Sequence, residues 1–181
     1  MPTHAATINR FWFDKDHEPY WFVRNDSFDR KVKDHLLGFY EEALHGQDDA
    51  WHTDAHATLA LIILFDQVPR NVFRGTAQAF ATDERARTLT RHALAHFDMT
   101  ALTKNERLFI YMPLQHSENL QDQEESCRLY ASLNDDESLD FAQQHHAIIK
   151  QFGRFPHRNE ALGRTSTPQE KHTLKNNKTP F

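Results

Sequence analysis

Leu59-Ala60-Leu61-Ile62-Ile63-Leu64-Phe65-Asp66-Gln67-Val68-Pro69-Arg70-Asn71 is the stretch whose reading decides the fold class. From Leu59 to Phe65 it is apolar on every side, and Asp54 stands upstream as a capping residue. Such a run reads as a helix buried on most of its faces. Pro69 is expected to stop it, because proline lacks an amide donor and its ring clashes with the preceding turn. Strand signals are weak in the rest of the chain. Glycine occurs 5 times in 181 residues, and no Asn-Gly or Asp-Gly pair is present to turn a hairpin.

Helical spacing recurs on both sides of that stretch. Phe28, Val32, Leu36, Phe39 and Ala43 fall on one face, with Asp26 or Ser27 as caps and Gly46 as the stop. Another helix spans Asp83 to His96, with Leu89, Ala93 and His96 along one side. Thr103-Lys104-Asn105-Glu106 has the capping-box form, and the helix it opens meets Pro113. Glu118 to Leu133 and Glu137 to Phe152 follow, the second ending at Gly153. Thr167-Pro168-Gln169-Glu170 opens a last helix. Asn176 to Pro180 reads as irregular, with Phe181 free to dock on the body.

The expectation is one all-helical domain over residues 1–181 with no flexible linker. Pro69, Pro113 and Pro156 are 44 and 43 residues apart, and each is followed by polar residues. A period in that range suits two-helix repeats. The expected architecture is a compact α/α helical repeat, tetratricopeptide-like, wound as a right-handed superhelix or closed as a bundle. Chance spacing of three among 7 prolines is the alternative.

A net charge of −5 argues against nucleic acid or an anionic membrane as a partner, since both call for a basic face. Cys127, the single cysteine, forms no internal disulfide and reads as a buried helix residue. The N-terminal residues lack the pattern of a secretory signal, and Leu59 to Phe65 falls far short of the ~20 residues of a membrane span. A cytoplasmic protein is expected.

Three clusters carry the polar chemistry. In the first, Arg70, Asn71 and Arg74 have the donors to satisfy backbone carbonyls at a helix break, or to hold a carboxylate or phosphate. In the second, His116, Ser117 and Glu118 precede Gln121-Asp122-Gln123. They suit acid-base chemistry or helix capping equally well. In the third, Arg154, His157, Arg158 and Asn159, then Arg164, are interleaved with Phe152, Phe155, Pro156 and Leu162. Packing of those apolar residues draws arginines toward the core, where they need partners such as Asp66, Asp83, Glu118 or Asp122.

His52 with His56, and His92 with His96, are four apart, but two histidines are an incomplete metal site. No metal and no cofactor is expected. Gly-x-x-x-x-Gly-Lys, Gly-x-Gly-x-x-Gly and Gly-x-Ser-x-Gly are all missing, which argues against nucleotide, dinucleotide and α/β-hydrolase chemistry.

These clusters also carry a resemblance. Leu61 to Thr76, Ala79-Phe80-Ala81-Thr82-Asp83, His116-Ser117-Glu118 with Asp122-Gln123, and Phe152 to Asn159 with Leu162-Gly163-Arg164 and Ser166-Thr167 are similar to the bacterial domain-of-unknown-function 924 family. Phe11-Trp12-Phe13 and Trp51 also fit; Val68 departs from the expected Phe, and Gln115 stands at a variable position. The resemblance spans nearly the whole chain. It implies an all-α fold similar to tetratricopeptide-like repeats and no established activity.

Two functional readings and a structural one follow. In the first, a small anionic ligand is bound, or hydrolysed, in an Arg/His-rich pocket. Arg70, Asn71, Arg74, Arg154, Arg158 and Asn159 hold it there, and His116, Glu118 and His157 supply proton transfer. In the second, a non-enzymatic scaffold clamps a peptide carboxylate or a protein partner. In the third, the clusters are a structural polar network. Fold analogy does not choose among them.

Overall fold

A computed structural model describes residues 3–46 and 54–176. Its α-helices are α1 (Thr3–Trp12), α2 (Asp26–Leu44), α3 (Ala55–Ile62), α4 (Val68–Val72), α5 (Asp83–His96), α6 (Lys104–Gln115), α7 (Leu120–Ala131), α8 (Asp136–Phe152) and α9 (Pro168–Asn176). No strand occurs among the described residues, so the chain is all-helical. Trp51, His52 and the segment after Asn176, Phe181 included, lie outside the described residues. The chain, expected as one domain, groups into two compact units. One comprises Met1–Arg74 and Gln78–Pro113, the other Gly75–Ala77 and Leu114–Phe181.

In the first unit the helix of the opening stretch is central. Every residue from 57 to 69 is buried, and α1 and α5 pack on α3 while α2 packs on α4. Each large apolar side chain withdrawn there contributes roughly 1.5–3 kcal/mol. A second apolar focus forms on α6, where the Phe109 ring meets Trp12, Phe13, Trp21 and Phe22.

Pro69 does not end this helix. Ile63–Gln67 widens into a π-helical turn that leads directly into α4, with Pro69 in the first turn of α4. The Val68 N–H reaches back to the Ile63 carbonyl. Side chains meet the carbonyls near the proline. Thr82 Oγ1 donates to Phe65 O at 2.6 Å, Arg70 Nη1 to Asp66 O at 2.7 Å, and Asn71 Nδ2 to Gln67 O at 3.0 Å. With those acceptors satisfied, the missing proline donor costs little and the helix runs on.

Pro113 likewise lies inside α6, two residues before its end. Pro156 opens a 3-10 turn, Pro156–Arg158. The three evenly spaced prolines therefore occupy three different local settings.

In the second unit α7 packs on α8, and α9 packs on the Pro156–Arg158 turn. Gly153 caps α8 with φ +68°, its N–H bonded to Ile149 O at 2.8 Å. Only glycine adopts that left-handed position without strain.

Several caps stand where the sequence puts them. Asp54 accepts from Ala57 N at 2.9 Å. Thr103 and Glu106 close their box, as do Thr167 and Glu170. Two differ by a residue or two. Asn25, not Asp26 or Ser27, caps α2, and Asn119, not Ser117, caps α7. In both, the asparagine oxygen takes two amide hydrogens and leaves the acidic residues free for the first turn or for ion pairs.

Candidate functional site

The first unit holds the first cluster. Arg70 makes a two-pronged pair with Asp83, at 2.8 and 3.0 Å, and its Nη1 lies 3.2 Å from Asp66 Oδ1. Asp66 is fully buried, and its other oxygen accepts from Gln67 Nε2 at 2.6 Å. Burial works against the Arg70 charge, but Asp66 and Asp83 outweigh it and hold the guanidinium above its usual range. Arg74 forks onto Asp29 at 2.8–3.1 Å. Of the three residues expected to satisfy broken-helix carbonyls, Arg70 and Asn71 do so, while Arg74 serves Asp29.

The second unit joins the other two clusters. Beyond the end of α6, Gln123 turns its amide back along the chain. It donates to Gln115 O at 2.6 Å, Ser117 O at 2.7 Å and Leu114 O at 3.4 Å. This fixes the His116-Ser117-Glu118 segment. Ser117 Oγ donates to Asp122 at 2.6 Å, which ties the segment to α7.

Glu118 then reaches the third cluster. Its carboxylate accepts from Arg164 Nη1 at 2.6 Å, Arg164 Nη2 at 2.9 Å and the Phe155 N–H at 2.8 Å. Arg164 also donates to Phe155 O at 3.1 Å and to Asn159 Oδ1 at 2.9 Å. Asn159 in turn donates to Ser166 Oγ at 3.0 Å. Burial alone pushes the Glu118 carboxyl up. The Arg164 and Phe155 hydrogen bonds, with the charges of Arg164 and Arg158, outweigh it and hold the carboxyl below the usual range.

Arg158 and two histidines gather on the Phe155 ring. Arg158 lies with its guanidinium 4.5 Å over the Phe155 ring and donates to His116 O at 3.0 Å. His157 stands 5.5 Å from the same ring, and His145 of α8 meets its edge at 5.6 Å. His145 and His116 are 6.2 Å apart, centroid to centroid. His145 Nδ1 sits 2.7 Å from the Phe141 carbonyl, which only accepts, so Nδ1 carries the proton. Burial, with the nearby His116, Arg158 and His157, lowers its pKa to about 3. His145 is therefore neutral at ordinary pH.

Arg154 points to a different partner. It forks onto Glu170 at 2.7 and 2.9 Å and donates to Thr165 O at 3.0 Å. That pair, with the Thr167 N–H, holds the Glu170 carboxyl down at about 2.

The model of a bacterial protein family of unknown function, DUF924, matches residues 8–178. The chain belongs to this family. A solved structure of a protein of unknown function from Agrobacterium tumefaciens is similar to it, with a TM-score of 0.89 and 37% identity over 96% of this chain and 97% of that one. No curated protein matches the chain.

In this DUF924 protein, then, His116, Glu118, His157, Arg158 and Asn159 come together in the second unit. Arg154 joins them through the same loop but pairs with Glu170. Arg70, Asn71 and Arg74 belong to the first unit. His145 and Gln115 were not among the expected site residues. Helical spacing carried a signal for His145, since Ala142, His145 and Ile149 share the buried face of α8. Among the described residues no group of three or more His, Cys, Asp or Glu is gathered to hold a metal ion, and no helix is long and apolar enough to cross a membrane. Cys127 is half-buried on α7, and burial pushes its thiol up, away from nucleophilic range.

Proposed function

We propose that this protein binds a small oxyanion at His116, His157 and Arg158 of the second unit. The observation that carries the reading is the gathering of Arg158, His145 and His157 on the Phe155 ring, with His116 next to His145 and bonded through its backbone oxygen to Arg158. Arg158 supplies a fixed positive charge, and the imidazoles beside it can donate a hydrogen bond or take up a proton when an anion enters. Arg158 is stacked and buried, so its planar fork is already ordered.

Glu118 takes a supporting part. Its carboxylate is committed to Arg164 and the Phe155 N–H, which fixes the loop on which His157 and Arg158 stand. Proton transfer to a bound acid would fall to His116 or His157. Arg70, Arg74 and Arg154 act as structural cations, each forked onto a carboxylate.

The test is calorimetric titration of inorganic phosphate and of acetate into the full chain and into Arg158→Gln and His157→Ala. Binding to the full chain that weakens at least about tenfold in Arg158→Gln, with thermal unfolding still cooperative, supports the reading. Equal binding by chain and variant refutes it. A peptide scaffold draws on a different feature, the 62% exposure of both Phe22 and Val23 in the first unit. Retention of a peptide by a Phe22→Ser, Val23→Ser variant would remove that support.

A further inference from the structure

One helix of the second unit is held mainly by charge. Among the described side chains of α9 only Glu170 is buried, at 2% exposed; Thr173 and Leu174 are half-buried and the others are exposed. A helix of 9 residues does not persist alone in water, so α9 depends on what it docks against. It docks on the Pro156–Arg158 turn, which carries His157 and Arg158. The attachment is the fork of Arg154 onto Glu170, at 2.7 and 2.9 Å, and the Thr167 N–H donates to the same carboxylate at 2.6 Å.

The same arginine closes the loop that presents those two residues. Arg154 Nη2 donates to Thr165 O at 3.0 Å, so one side chain joins the two ends of the segment 154–165. Within the loop the Arg164 N–H donates to Asn159 O at 2.7 Å, and Asn159 Nδ2 donates to Ser166 Oγ at 3.0 Å. We propose that Arg154 and Glu170 are positioning residues and α9 a latch for the anion site: docking of α9 holds the loop in the form in which His157 and Arg158 bind an anion. This rests on the anion-binding reading above and adds the regulation of that site. Coupling between two such events is reciprocal. Docking of α9 favours the anion, and the anion favours docking by the same factor.

Both directions can be measured with inorganic phosphate. Calorimetric titration is expected to show phosphate bound about fivefold or more weakly by Arg154→Met and by Glu170→Gln than by the full chain. Arg154→Lys, which keeps the charge, is expected to recover part of that loss, and thermal unfolding of each variant reports that the fold persists. The reverse direction needs no variant. Saturating phosphate is expected to slow amide hydrogen exchange over Lys171–Lys175 of the full chain by about fivefold or more, with the α2 amides of the first unit as the control. The same addition to Arg158→Gln is expected to leave that exchange unchanged. Unaltered phosphate affinity in Arg154→Met and Glu170→Gln overturns the latch while leaving anion binding standing. So does α9 exchange indifferent to saturating phosphate, or an Arg154→Lys affinity no better than that of Arg154→Met. Failure of phosphate to bind the full chain overturns both readings.

Discussion

Arg158 donates to the backbone oxygen of His116 at 3.0 Å across 42 residues of sequence. One hydrogen bond thus couples the segment after α6 to the loop after α8. The same two segments are clamped again by Glu118 and Arg164, at 2.6 and 2.9 Å. The pair of contacts makes a single polar site from two clusters that the sequence separates.

The clamp gives the first prediction. Glu118→Ala leaves the Phe155 N–H and the Arg164 fork without their acceptor. The Arg164 and Glu118 side chains are part-exposed, at 23% and 28%, so water recovers some of the loss. Destabilisation of about 1–3 kcal/mol is expected in urea unfolding. Coupling between Glu118→Ala and Arg164→Ala in a double-mutant cycle should be clearly favourable; strict additivity would mean the clamp is not formed.

Arg70 should behave differently. It neutralises Asp66, a fully buried carboxylate on the π turn. Arg70→Met strands that charge, at a cost of about 3–5 kcal/mol. Arg74→Met removes a more exposed pair with Asp29 and should cost about 1 kcal/mol or less. Comparable losses from both variants would contradict the ranking.

His145 predicts a pH dependence. Its folded pKa of about 3 lies below the ordinary histidine value near 6.5. Between those values the unfolded chain binds a proton that the folded chain refuses. Its contribution to stability is therefore complete above about pH 6.5 and falls as the pH drops toward 3, by at most about 1.4 kcal/mol per unit. Urea unfolding at pH 7 and pH 5 should show this slope in the full chain and a flatter one in His145→Gln. An unchanged slope would place His145 in contact with water.

Local chemistry made much of this legible in sequence. The boxes at Thr103–Glu106 and Thr167–Glu170, the Asp54 cap and the Gly153 stop each depend on residues within four positions of one another. Pro69 reads as a stop in the sequence because the remedy for its missing donor lies partly elsewhere. Thr82 satisfies the Phe65 carbonyl from 17 residues away. Partner choice is also nonlocal. Arg74 finds Asp29 and Arg164 finds Glu118, 45 and 46 residues away, and a chain with 26 acidic residues offers many equivalent candidates. His145 stands among polar residues in sequence, while its neighbours in space are Phe155, His116 and Gln115.

The central claim is that His116, His157 and Arg158 form one anion site. The most direct measurement is a two-dimensional NMR titration of the full chain, with labelled histidine rings and arginine side chains, against inorganic phosphate. The account predicts saturable shifts of the His116 and His157 ring signals and of Arg158 Nε, sharing one binding curve, with Arg70 and Arg74 unmoved. Absence of shifts at those three residues, or saturable shifts centred on Arg70 and Arg74, would contradict it.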